Sequence, residues 1–313
     1  MSIKKSQNIM IEGKKSISVL LRQEGALHIM LLLPVLMVLI YRYIPMGGII
    51  LAFKNYKARF GIFGSPWVGF ENFQILFTMP GFLDAIRNTV VIAMAKIVLG
   101  IIVPVIFSLM LNEVFMLRLK RVVQTIVYMP HFISWVLMAG IIIKMLSQYG
   151  IVNKGLAFLG MEPIMFLADK TRFPFIVVFT DVWKEFGYSS IVYLAAIMGI
   201  DPSLYEAAEI DGAGRWRQTL NVTLPGMIPT IILMTALALG RVLDAGFDQI
   251  FNLYSPVVYK TGDILDTFTY RMAFQNSQFS ISTAASLFKS VIGCILIVTS
   301  YRAAYKLSGY RIF

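Results

Sequence analysis

Residues 201–229 read DPSLYEAAEIDGAGRWRQTLNVTLPGMIP, and this polar stretch separates two long apolar runs. Asp201 is of a residue type that caps helices, and Pro202 suits the first helical position, where its missing N–H costs nothing. Gly212 and Gly214 follow at the length of one short helix, and glycine commonly ends a helix. We therefore predict a short polar helix that begins after Asp201 and ends at the glycines.

A second short helix is predicted over residues 215–222. Its end is placed ahead of Pro225 because the residue before a proline avoids helical backbone geometry. The two helices, bent at Gly212, would project from the membrane as a compact unit, which we call the knob (residues 201–225). The knob offers small and acidic side chains to a partner: Ala207, Ala208, Glu206, Glu209 and Asp211.

Two surroundings fit such a knob, namely a partner protein and the lipid surface. A helix pair lying on lipid would bring its acidic half against an anionic cytoplasmic leaflet, which would repel it. The acidic side chains therefore favour a protein partner.

The chain as a whole is strongly apolar. Its 313 residues are 58% hydrophobic and 14% charged, and the mean hydropathy is +0.73. A bilayer core about 30 Å thick needs roughly 20 apolar residues for each helical crossing. We predict an all-α integral membrane protein with six transmembrane helices, near residues 27–44, 88–111, 126–146, 173–197, 227–243 and 284–302.

The net charge of +11 does not indicate nucleic-acid binding, because the basic residues form no patch with aromatics and instead follow the ends of apolar runs. Short basic loops stay in the cytoplasm. We therefore place both termini and the connections 112–125 and 199–226 in the cytoplasm. The longer connections 45–87, 144–172 and 244–283 are then outside.

Residues 1–26 are predicted to form a cytoplasmic tail, and residues 27–313 a single transmembrane domain. The first apolar run has no small-residue cleavage site, so it is expected to remain as the first span. Cys294 is the only cysteine, which leaves no disulfide or cysteine-based metal site within the chain. His28 and His131 lie at span ends, so a histidine metal centre is not expected either.

The knob resembles the EAA loop of membrane subunits from binding-protein-dependent ABC importers. The residues that match this loop are Glu206, Ala207, Ala208, Asp211, Gly212, Leu224 and Pro225. The likeness extends along the chain: LLLPVLMVLIYRYIPMGGIILAFKNY, GFENF and PHFISWVLMAGI are similar to segments of sugar-importer permeases. The most similar branch handles oligosaccharides and breakdown products of polysaccharides.

The resemblance implies a type I ABC importer fold in a bacterial cytoplasmic membrane. Glu206 and Gly212 would take docking and turn roles against an ATPase subunit. The implied partners are two ATPase subunits that bind ATP and Mg²⁺, a second permease subunit and an extracytoplasmic solute-binding protein, and the implied solute is a carbohydrate. The chain has no Walker A sequence, so we expect no ATP site in it. We also expect no other cofactor and no enzymatic activity in this chain.

Ionisable and aromatic residues inside the spans are candidates for the solute path, because charges in lipid are costly. Aromatic faces stack on sugar rings, and carboxylates accept hydrogen bonds from hydroxyls. Glu185 and Tyr188 share a helix face, whereas the adjacent Lys184 and Glu185 do not. Packing within the bundle is the alternative role for these residues. The candidate path residues are Trp135, Trp183, Glu185 and Tyr188.

Other charged residues in the predicted spans are given structural roles. Lys96 and Lys289 are expected to extend toward a membrane surface. Arg241 and Asp244 are three residues apart and are expected to form a local ion pair.

Two other functions remain open. An ABC importer for an amino acid or peptide would share the knob. An ion-coupled secondary transporter would need intramembrane coupling carboxylates and usually inverted repeats, and only Glu185 stands out. A membrane enzyme is disfavoured because no pairing of His, Asp or Cys within the spans offers a nucleophile and a base.

Overall fold

The computed structural model describes residues 25–308, with side chains described to residue 302. In this part of the chain the regular secondary structure is helical, apart from one isolated bridge between Lys54 and Trp67. The predicted tail over residues 1–26 therefore falls outside the described residues, except for its last two positions.

The longer helices, numbered in chain order, are α1 Gly25–Val38, α2 Glu71–Thr78, α3 Phe82–Asn112, α4 Leu117–Tyr128, α5 Trp135–Leu146, α6 Ile151–Phe158, α7 Arg172–Met198, α8 Pro202–Ile210, α9 Leu224–Leu239, α10 Phe247–Leu253, α11 Leu265–Tyr270 and α12 Phe279–Ser308. Short helical segments join them: Leu39–Tyr43, Ile44–Met46, Gly47–Phe53, Ala58–Phe60, Gly61–Gly64, Met129–Phe132, Phe166–Ala168, Arg215–Gln218, Thr219–Thr223, Pro256–Val258, Tyr259–Gly262 and Arg271–Gln275.

Five helical stretches among the described residues are long and apolar enough to cross a membrane, and α7 becomes a sixth when it is joined to α8 across a 68° bend. The first five are Gly25–Phe53, Phe82–Asn112, Trp135–Phe158, Arg215–Leu239 and Phe279–Arg302. The all-α membrane prediction is confirmed, and α7 lies within one residue of its predicted ends at both termini.

The prediction of one unbroken helix over residues 126–146 is wrong. α4 ends at Tyr128, and the tighter segment Met129–Phe132 contains Pro130, which lacks the N–H that a continuing α-helix would use. The backbone is extended at Ser134, whose hydroxyl caps α5 by accepting from Leu137 N–H at 3.4 Å. The predicted loop over 112–125 is consequently mostly α4, and only a few residues connect it to α3.

The predicted stop ahead of Pro225 is also wrong. The helix that starts at Arg215 continues through a π-helical segment, Thr219–Thr223, into α9. In this wider turn the N–H of Leu224 donates to the carbonyl of Thr219, five residues back. Side chains bond other carbonyls of the turn, as when Thr219 Oγ1 donates to the carbonyl of Arg215 at 3.0 Å. Pro225 is the second residue of α9, and the helical backbone continues through it.

The chain divides into two compact units after Ile50. In the larger unit, α3 and α7 pack along each other. Ile92 of α3 and Val177 of α7 belong to the same buried hydrophobic cluster. Gly187 of α7 lies against α4, where an added Cβ would be 2.3 Å from the carbonyl oxygen of Val127. This close approach of α7 and α4 therefore requires a glycine.

Candidate functional site

The first half of the knob has the predicted local structure. The Asp201 side chain accepts from the backbone N–H of Ser203 at 2.9 Å, which caps α8 and lowers the pKa of this carboxyl group. Pro202 is the first residue of α8, as predicted. Gly212 has φ +78° and ends the helix, with its N–H donating to the Glu209 carbonyl.

Most of the predicted docking residues are accessible in the larger unit of the chain. Ala208 and Leu224 are half-buried, whereas the others are exposed: Glu206, Ala207, Asp211, Gly212 and Pro225. Two large apolar side chains lie beside them, Ile210 at 86% exposure and Trp216 at 74%. The Tyr205 hydroxyl is 3.0 Å from Thr223 Oγ1 and ties α8 to the π-helical segment. The docking roles of these residues remain predictions.

A cavity of about 560 Å³ lies between α3, α7 and α9, with the turn before α10 at one end. Four residues of α7 line it at a spacing of four, over about 18 Å of helix, namely Asp181, Glu185, Ser189 and Tyr193. Of the predicted path residues, Trp135 and Glu185 also border this cavity. Trp183 and Tyr188 do not line it. The roles of all four residues in a solute path remain predictions.

Lys96 does not extend toward a membrane surface, which corrects the prediction. Its side chain is only 9% exposed, and its Nζ donates to Asp181 Oδ1 at 3.0 Å, to the Ala245 carbonyl at 2.8 Å and to Gln249 Oε1. Gln249 Nε2 in turn donates to the Val177 carbonyl at 2.8 Å. Lys96 therefore ties α3, α7 and α10 together, an arrangement that satisfies a charge too costly to leave unpaired.

Lys289 is likewise paired, at 2.5 Å from Asp266 Oδ1, so its predicted extension toward a surface is also wrong. In both lysines a carboxylate on another element lies close enough to bond. The predicted ion pair between Arg241 and Asp244 is confirmed at 3.2 Å.

Glu185 belongs to a second polar cluster. His131 Nδ1 is 2.6 Å from Glu185 Oε2, and Lys184 Nζ donates to Glu185 Oε1 at 2.8 Å. Lys184 and Glu185 are adjacent and do not share a helix face, but the long lysine side chain curls back to its neighbour. The His131 ring stacks on Tyr188 with centroids 3.9 Å apart. Glu185 and Tyr188 therefore do share a face, and His131 bridges them.

Sequence reasoning placed neither Lys96 nor His131 in these clusters, and it did not single out Asp181 or Gln249. A signal for Asp181 is present, because it lies four residues before Glu185 and so on the same helix face. His131 carries no comparable signal, since only the break around Pro130 brings it to α7.

Paired ionic side chains beside a cavity, within a set of membrane-length helices, are typical of a multi-pass transport protein. Residues 96–308 match the family described as the inner membrane component of binding-protein-dependent transport systems, and the chain belongs to this family. It is therefore a multi-pass permease of the bacterial plasma membrane and not an enzyme.

Named relatives and solved structures agree with this family. The polygalacturonan/rhamnogalacturonan transport system permease protein YteP of Bacillus subtilis (strain 168) is 37% identical over 96% of this chain and 94% of the relative. Protein LplB of the same organism is 37% identical over 94% of this chain and 92% of its own length.

A crystal structure of a bacterial ABC transporter that imports the acidic polysaccharide alginate contains a chain with TM-score 0.87 and 37% identity. The match covers 93% of this chain and 99% of that one. The predicted fold of a type I importer permease is confirmed, while the cytoplasmic placement of the termini remains a prediction.

Proposed function

We propose that this chain and a second permease subunit form the membrane pathway of an ATP-driven importer for oligosaccharides or polysaccharide fragments. The main support for this proposal is that one helix, α7, lines the cavity and leads directly into the knob. Four residues of α7, from Asp181 to Tyr193, border the cavity. The helix ends at Met198, just before α8 begins at Pro202. A force applied to the knob would therefore act on the cavity wall.

The knob is proposed as the docking surface for one of two ATPase subunits, which would bind ATP and Mg²⁺; no cofactor is assigned to this chain. Exposed Ile210 and Trp216 provide apolar area, and exposed Glu206 can pair with a basic group of the partner. Gly212 would set the angle of the knob, because its φ of +78° is unfavourable for other residues. Ala207, Ala208, Asp211, Leu224 and Pro225 complete the proposed surface.

The carbohydrate assignment is supported by relatives and by the cavity. YteP is named for polygalacturonan and rhamnogalacturonan transport, and the structural relative imports alginate. That relative has also been solved in complex with a periplasmic protein that holds an alginate pentasaccharide. In this chain Trp135 offers a ring face, and Glu185 offers an acceptor for hydroxyl groups. An extracytoplasmic binding protein would deliver the solute.

The docking proposal predicts that Glu206→Ala and Gly212→Val uncouple ATP hydrolysis from uptake. Valine at Gly212 must adopt a left-handed conformation, which costs about 1–2 kcal/mol and corresponds to roughly a tenfold loss of the docked geometry. We expect uptake into proteoliposomes of the complete importer to fall by about that factor, while membrane insertion is unchanged.

The matched control is Glu162→Ala, at an exposed glutamate outside the knob, which should transport as wild type does. Wild-type uptake and ATPase rates in both knob variants would refute the docking role.

A further inference from the structure

A continuous row of aromatic rings leads away from the cavity. Phe247 borders the cavity and lies 5.2 Å from Phe251, centroid to centroid. Phe251 and Phe247 both contact Tyr270, at 4.8 Å and 5.6 Å, and Tyr270 lies 5.0 Å from Phe274. The row therefore begins at the cavity wall and ends at Phe274, whose side chain is 69% exposed.

These four rings are not the hydrophobic core of their region. A separate aromatic pair, Phe82 and Phe268, is completely buried and belongs to one core cluster. None of the four rings in the row is fully buried, and three are partly buried: Phe247, Phe251 and Tyr270. Large apolar rings that remain accessible beside a cavity are a feature of ligand sites.

Polar groups beside the row indicate a sugar as the ligand in preference to a lipid. Asp248 follows Phe247, is exposed and lines the same cavity, as does Asp244. Carboxylates accept hydrogen bonds from the hydroxyl groups that a sugar presents along its whole length, whereas the hydrocarbon part of a lipid offers no donor. Tyr270 adds a ring with a hydroxyl group, which suits a ligand that is apolar on its faces and polar at its edges.

The row also lies at the end of the cavity where an external solute would enter under the proposed function. Gln249 of α10 donates to the Val177 carbonyl and to Thr180 Oγ1, near the beginning of α7. These bonds hold α10 at the end of the cavity where α7 begins. The knob follows the opposite end of α7. The row is thus at the cavity end remote from the proposed ATPase surface.

We propose that Phe247, Phe251, Tyr270 and Phe274 form a stacking track that holds successive rings of an oligosaccharide at the mouth of the cavity. The track rests on the proposed carbohydrate function and adds to it a dependence on chain length. A short sugar inside the cavity does not reach Phe274, whereas a longer one stacks on both Phe251 and Phe274.

The test measures uptake by the complete importer in proteoliposomes, with its binding protein at saturation. The probes are oligogalacturonides, alginate oligosaccharides and galacto-oligosaccharides, each as a disaccharide and a hexasaccharide. Phe274→Leu and Phe251→Leu should raise KM for the hexasaccharide of the transported series by about threefold to tenfold for each stacked ring lost. KM for the disaccharide should not change. The control is Phe158→Leu, at a ring that is 92% exposed and outside the track.

The outcomes separate the track from the function on which it rests. The track would be overturned if its variants had the same KM values as Phe158→Leu for both sugars, or if their KM rose equally for the disaccharide and the hexasaccharide. Uptake by the wild-type complex would still support the importer function in either case. Failure of the wild-type complex to take up any of the three series would instead contradict the carbohydrate assignment, and the track with it.

Discussion

The backbone conformation of Gly246 and the position of the Lys96 ammonium group depend on each other. Gly246 has φ +93°, and an added Cβ would lie 2.8 Å from Lys96 Nζ. The carbonyl of the preceding residue, Ala245, accepts a hydrogen bond from the same ammonium group. The glycine therefore permits both the turn into α10 and the close approach of the lysine.

Gly246→Ala should destabilise the protein more than a left-handed alanine elsewhere does. Any L-residue in this conformation costs about 1–2 kcal/mol, and here the methyl group also displaces Lys96 from its partners. Gly160→Ala is the matched control, because Gly160 has φ +76° but open space around its Cβ position. We expect the midpoint of thermal unfolding of the purified protein to fall by about 2–4 °C more in Gly246→Ala than in the control. Equal decreases would show that the contact with Lys96 is unimportant.

Residue-level contacts of this kind were the least predictable part of the site. Charges and large rings stand out within an apolar span, which predicts Trp135, Trp183, Glu185 and Tyr188 as path residues. Only Trp135 and Glu185 of these four line the cavity. The partners of Lys96 are 85 and 153 positions away along the chain, at Asp181 and Gln249. No local spacing encodes such a contact, so a lysine in a span was taken to extend toward a surface.

At the scale of elements, the contact between α7 and α4 depends on Gly187. An added Cβ would lie 2.3 Å from the Val127 carbonyl oxygen and 2.6 Å from its Cγ1 atom. The helix break at Met129–Phe132 follows directly and carries His131 to Glu185. The position of α4 therefore affects the polar cluster beside the cavity.

Gly187→Ala should push α4 away from α7 and destabilise the protein, because backbone atoms cannot yield as a flexible side chain can. An overpacked contact typically costs about 1–3 kcal/mol. Gly140→Ala, in α5 with open space at its Cβ position, should be neutral or slightly stabilising, since alanine favours helix by about 1 kcal/mol over glycine. Thermal unfolding of both purified variants checks this contrast, and a Gly187→Ala protein as stable as Gly140→Ala would refute it.

The elements themselves were predictable where local chemistry decides them. The cap at Asp201, the first-turn Pro202 and the end of α8 at Gly212 follow from preferences that act within a few residues. The prolines at 130 and 225 were misjudged in opposite directions. Pro130 breaks a predicted span, whereas Pro225 lies inside a continuous helix, directly after a π-helical turn.

At the scale of the whole molecule, composition predicts the membrane class, and the resemblance of the knob predicts the family that the comparisons confirm. Neither source gives the arrangement of the cavity, because that depends on contacts between helices far apart in sequence. The central proposal is that the knob docks on an ATPase subunit. The sole cysteine of the chain, Cys294, is exposed and can be replaced so that a single new cysteine carries a label.

The most direct test is photo-crosslinking of the assembled importer from position 207. Ala207→Cys in a Cys294→Ala background would carry a maleimide-benzophenone label, and Leu159→Cys, at a residue 73% exposed and outside the knob, would serve as the control. We expect illumination to join position 207 to the ATPase subunit, with a yield that changes when ATP is added, and to leave position 159 unjoined. No ATPase adduct at position 207, or equal adducts at both positions, would contradict coupling through the knob.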